Sequence, residues 1–69
     1  MYVVIEMKKI GDKITCSPTS YNTKEDADSA FYAILASAAV SNVDIHSAVI
    51  LTEDGLINKS QSYKHKKEE

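Results

Sequence analysis

Two periods divide the chain's apolar positions. Between Asn22 and Val40 they fall at Ala27, Ala30, Phe31, Ile34, Leu35 and Ala38, a three/four spacing that predicts a helix with one apolar face. Asn22 or Thr23 can cap its start, because a short side-chain oxygen accepts from the free amides of the first turn. Glu25 and Asp26 follow three residues later and suit the positive helix end. Asn42 is the expected left-handed stop.

On either side of this helix the period changes to two. Tyr2 to Ile10 reads as a strand with Val3, Ile5 and Met7 on one side and Tyr2, Val4, Glu6 and Lys8 on the other. Gly11-Asp12 suits a tight hairpin turn, after which Lys13 to Ser17 returns antiparallel. Ile14 then lies opposite Lys9 and Cys16 opposite Met7, so both join the Val3/Ile5/Met7 side, which is the expected core. Pro18 cannot donate to a ladder, so this second strand is expected to be an edge that frays there. Val43 to Thr52 predicts a third strand, with Val43, Ile45, Ser47, Val49 and Leu51 on one side. Asp44, His46, Ala48, Ile50 and Thr52 occupy its other side. Glu53-Asp54-Gly55 is a hairpin connection, and Leu56 to Tyr63 returns as a polar fourth strand. In that hairpin Tyr63 pairs with Ile45 and anchors on the core side.

These elements give an α+β fold, ββαββ, with the apolar first and third strands central and sheet order 2-1-3-4. The helix would carry strand two to strand three by a right-handed crossover. Residues 1–63 form a single domain, and residues 64–69 a charged tail.

One helix covers one side of a sheet, and this chain has apolar residues on both. The side opposite the expected core carries Tyr2, Val4, Ala48 and Ile50. The helix has a second small-residue face with Ala33, Ala36 and Val40, flanked by Ser29 and Ser37, and no charged residue falls between Tyr32 and Val43. Alanine's helix preference and ordinary strand composition account for part of this. The sharper reading is that one of these faces meets another chain, since small monomers rarely leave a large contiguous apolar patch open. A two-fold homodimer is the commonest arrangement. The candidate interface is therefore Tyr2, Val4, Ala48, Ile50, Ala33, Ala36 and Val40.

Composition narrows the options. The chain has 69 residues, 43% of them hydrophobic, enough for one small folded domain and little core to spare. A single cysteine, Cys16, makes no internal disulfide and points to a reduced, intracellular setting. The start lacks the pattern of a signal peptide, and no apolar run reaches a membrane span of roughly 20 residues. A net charge of −2 does not favour nucleic acid.

Candidate chemistry is sparse. There is no phosphate loop, zinc spacing or nucleophile elbow, and no cofactor is expected. Asp44 and His46, two apart on a strand, face the same way and could orient an imidazole or contribute to a metal site. His65 falls on the opposite face, and a polar sheet rim explains the pair equally. Cys16 is a nucleophile only with a cation beside it; otherwise it is a small core residue. Glu25, Asp26 and Asp28 form an acidic cluster that helix-end electrostatics explains, with an acidic docking site as the alternative. Lys64 to Lys67 could touch an acidic partner or be a solvated terminus.

Ala30 to Ser41 (AFYAILASAAVS), His46 to Gly55 (HSAVILTEDG) and the ending Ser62-Tyr63-Lys64-His65 resemble a group of small uncharacterised proteins of Gram-positive gut bacteria and their mobile elements. The resemblance covers roughly half the chain. It implies a bacterial cytoplasmic setting and transfers no activity or site residue. The expected function is thus non-enzymatic, through protein contacts, most simply as a homodimer. A mobile-element inhibitor of a host defence or regulatory protein, and a small enzyme or metal-binding protein using Asp44, His46 and Cys16, are the alternatives.

Overall fold

The computed structural model describes residues 1–65. Strands β1 (Tyr2–Ile10) and β2 (Lys13–Tyr21) precede helix α1 (Lys24–Ala39), and β3 (Ile45–Thr52) and β4 (Ile57–Lys64) follow it. They form one four-stranded sheet in the order β2-β1-β3-β4, with every neighbouring pair antiparallel. This is the ββαββ arrangement and strand order that the alternation and turns imply.

Local chemistry sets the element ends. Thr23 is the helix N-cap, its Oγ1 accepting from the Asp26 amide at 3.2 Å, with Glu25 and Asp26 in the first turn. The helix stops without a left-handed residue: Val40 is the C-cap at φ −117°, and no residue other than glycine has positive φ among those described. The expected stop at Asn42 is replaced by tighter bonds, Val40 N–H to Ser37 O and Ser41 N–H to Ala38 O, both 3.3 Å. Gly11 (φ 60°) and Gly55 (φ 84°) turn the two hairpins in the conformation L side chains resist.

The second strand is longer than its proline suggests. Pro18 sits in mid-strand opposite Ile5, and pairing continues to Tyr21 opposite Tyr2. An edge strand tolerates the missing N–H because one side of it has no ladder to feed. In the β3–β4 hairpin Asn58 has no Cα partner, since Ile50 pairs with Lys59 but Leu51 with Ile57. That extra residue moves Tyr63 opposite His46 rather than Ile45. The boundary at residue 64 also moves. β4 includes Lys64, and the His65 amide donates to Asp44 O at 2.8 Å; the rest of the expected tail, residues 66–69, lies outside the described residues.

The main departure concerns which side of the sheet the helix covers. The core is Val4, Ala27, Phe31, Ala48 and Ile50, with Tyr2, Tyr21, Ala30, Ile34 and Leu35 packed around it. The helix thus presents the expected stripe, but to the Tyr2/Val4/Ala48/Ile50 side. Val3, Ile5, Met7, Val49 and Leu51 are the ones left without a covering layer among the described residues; none is fully buried, whereas β3 alternates half-buried and buried along Ile45 to Ile50.

Small residues explain the choice. Ala27, Ala38 and Ala48 are all but sealed, so the helix sits close to the sheet where no large side chain intervenes. Only Asn22 and Thr23 link β2 to the helix, so Tyr21 enters the core from the face it shares with Tyr2. Truncating Ile50 to Ala should cost about 2–5 kcal/mol by urea unfolding, and Thr23→Ala about 1 kcal/mol. A loss at Ile50 no larger than that at Thr23 would contradict this placement of the core.

Candidate functional site

Two features stand out: a polar network at one end of the helix, and the uncovered sheet face.

The network begins at His46, which is 3% exposed on the helix-covered side of β3. Its Nε2 lies 2.6 Å from Glu6 Oε2 and its Nδ1 3.1 Å from Ser41 Oγ. Lys8 Nζ stands 3.9 Å from the same Glu6 oxygen. Ser41 Oγ also donates to Ala38 O at 3.2 Å, and His65 Nε2 donates to that carbonyl at 2.7 Å. The helix has no basic residue in its last turn, so His65, just past the end of β4, supplies the donor that its negative end favours. Tyr63 stacks on His65 with ring centroids 6.4 Å apart.

A hydroxyl has one proton, so two arrangements satisfy this chain. If Ser41 donates to Ala38 O, both His46 nitrogens donate, to Ser41 and to Glu6. If Ser41 donates to Nδ1, the ring is neutral and Nε2–H alone donates to Glu6. Either way every contact is within the chain; those of His46 to Ser41 and of His65 to Ala38 reach the helix end, and that of His46 to Glu6 joins β3 to β1. No buried side-chain polar atom lacks a partner among the described residues.

The residues that could have formed a reactive centre diverge. Asp44 Oδ2 accepts from the Gly11 amide at 2.9 Å, closing the β1–β2 turn rather than facing His46. Cys16 is exposed, opposite Met7 on the uncovered side of the edge strand; it is not a core residue. No group of three or more His, Cys, Asp or Glu is placed to hold a metal among the described residues. Of the acidic cluster, Asp28 is engaged: Lys59 Nζ donates to its Oδ1 and to Tyr32 Oη, both at 3.2 Å, and lies 5.0 Å above the Tyr32 ring. Those two partners, the tyrosine first, hold the lysine above its ordinary range. No local pattern marks the Glu6–His46 and Lys59–Asp28 pairs, because each joins residues far apart in the chain.

The expected interface divides. Val4 at 2%, Ala48 at 2% and Ile50 at 1% exposure are inside the protomer, and Tyr2 is half-buried beside them, so this set is not available to a partner. The helix's outer face is exposed as expected at Ala33, Ala36 and Val40, the last at 81%.

The surface that remains is the other side of the sheet. The pairings arrange it in four rows running β2-β1-β3-β4: Ser20–Val3–Leu51–Ile57, Pro18–Ile5–Val49–Ser60, Cys16–Met7–Ser47–Ser62 and Ile14–Lys9–Ile45–Lys64. None of these sixteen positions is acidic, and the charges sit in one end row. Small residues hollow the face near β4, where Met7, Ser47, Val49, Ser60 and Ser62 line a shallow depression of about 450 Å³. At strand spacings of about 4.8 Å and a rise of about 3.3 Å per residue, the face spans on the order of 550 Å² in plan. A standard interface buries roughly 800 Å² of accessible surface per partner.

No protein-family model, curated protein or solved structure matches this chain. No described helix is long and apolar enough to cross a membrane.

Replacing His46 with Ala should destabilise the fold by about 2–3 kcal/mol, because Glu6 and Ser41 each lose the partner that His46 supplies. Glu6→Gln, which retains an acceptor, should cost less. Urea denaturation of the two variants checks the order; equal, negligible losses would mean the network does not hold the helix end.

Proposed function

We propose that this is a non-enzymatic protein that works through protein contacts, and that its contact surface is the uncovered sheet face. The observation that carries the reading is the set of apolar side chains on the two central strands, Val3, Ile5, Val49 and Leu51, with no layer above them among the described residues. An ordinary antiparallel sheet with one side in water alternates apolar and polar residues. Here the water-facing side of β1 and β3 is as aliphatic as the buried side, while the buried side holds Glu6, Lys8 and His46.

The occupant the face fits most simply is a second copy. Two sheets packed face to face at about 10 Å make a four-layer assembly with a helix outside each sheet. Such an isologous contact needs only that the surface be complementary to itself. What supports a self-complementary contact is that β-branched residues and serines are interspersed on the face, with no acidic side chain among its described positions.

Light scattering on a gel-filtration column should give twice the 7.6 kDa chain mass at micromolar concentration. Val49→Lys, which puts a charge at the centre of the face, should yield a folded monomer with unchanged far-UV dichroism. A wild-type chain that elutes as a monomer across the micromolar range would overturn the reading.

A further inference from the structure

We infer that the second copy docks with its two-fold axis along the strands, between β1 and β3, so that β1 of each copy lies over β3 of the other and β2 over β4. This rests on the contact surface proposed above.

A face-to-face pair of sheets has two simple two-fold arrangements, and the relief of the face separates them. In its two middle rows the β2–β1 half carries Pro18, Ile5, Cys16 and Met7, whereas the β3–β4 half carries Val49 and three serines, Ser47, Ser60 and Ser62. The shallow depression lies in that second half, with Met7 at its border. An axis across the strands returns each strand to its own counterpart, so depression faces depression and Ser60 lies over Ser62. That leaves a gap where well-packed contacts have none. An axis along the strands exchanges the halves. Ile5 then lies over Val49 and Met7 over Ser47 of the second copy, while Pro18 and Cys16 lie over Ser60 and Ser62. The fuller half fills the hollow one, and each contact is made twice. Methionine's unbranched, flexible side chain suits such an irregular space. Charge leaves the choice to shape. The end with Lys9 and Lys64 also holds Asp12 and Asp44, and at the other end the Met1 ammonium lies 2.9 Å from Glu53 Oε1.

Cys16, on the exposed edge strand, reports the arrangement. With the axis along the strands, it faces Ser62 of the second copy across a gap of about 10 Å between the two backbones. The two Cys16 residues are then three strand spacings apart, about 14 Å, in addition to that gap. With the axis across the strands they are offset by only two residues of one strand, roughly 7 Å, across the same gap.

A short bismaleimide at micromolar protein should leave the wild-type dimer unlinked and convert Ser62→Cys to a covalent dimer, with Cys16 of one chain joined to the introduced thiol of the other. Ser60→Leu should loosen the dimer several-fold in a dilution series followed by light scattering, because the larger side chain meets Pro18 of the second copy. A wild-type dimer that links through Cys16, a Ser62→Cys dimer that does not link, or a Ser60→Leu dimer tighter than wild type overturns this orientation and leaves the contact surface standing. A chain that is monomeric by light scattering overturns both.

Discussion

One constraint governs this molecule: a single helix hides one side of a four-stranded sheet, and strand alternation leaves no intermediate choice. Once the helix packs on Val4, Ala48 and Ile50, every odd-numbered residue of β1 and β3 from Val3 to Met7 and Ile45 to Leu51 is turned away from it. The covered side is not the more aliphatic one. It is the side whose small residues admit the helix closely, and whose polar groups find partners beneath it.

Those polar groups set the position of the helix ends. At the C-terminal end, Ala38 O collects Ser41 Oγ and His65 Nε2 while His46 spans from Ser41 to Glu6. Near the middle, Asp28 and Tyr32 hold Lys59 of the edge strand. Polar pairs of this kind add little net energy compared with the apolar core, but leaving any one unpaired under the helix is costly. They therefore disfavour the alternative in which the helix packs on the Val3/Ile5/Val49 side, which offers it serines and aliphatic groups and no such partners.

The elements, their order and the apolar stripe of the helix were legible in the chain, because they depend on period and turn chemistry. The covered side was not, because alternation is symmetrical between faces and long-range pairs carry the distinction. Glu6, Lys8 and His46 marked their side as solvent-facing to any count of polarity, yet Glu6 and His46 satisfy each other beneath the helix end. A clue lay in Tyr21. Continuing the hairpin through Pro18 pairs it with Tyr2 and sets two aromatic rings at the point where the chain enters the helix, on the Val4 side. The same exchange of faces, together with the extra residue at Asn58, leaves Tyr63 on the helix side by a different register from the one the hairpin loop implied. As for the site, the surplus of apolar surface was readable, but its location was inverted.

We propose that another copy of the chain covers the aliphatic side of the sheet. An isotope-filtered NOE experiment on a mixture of methyl-labelled and unlabelled protein tests it most directly. Intermolecular contacts should connect Ile5, Met7 and Val49 with one another across the two chains. Intermolecular contacts confined to the outer helix residues Ala33, Ala36 and Val40, or none at all, would contradict it.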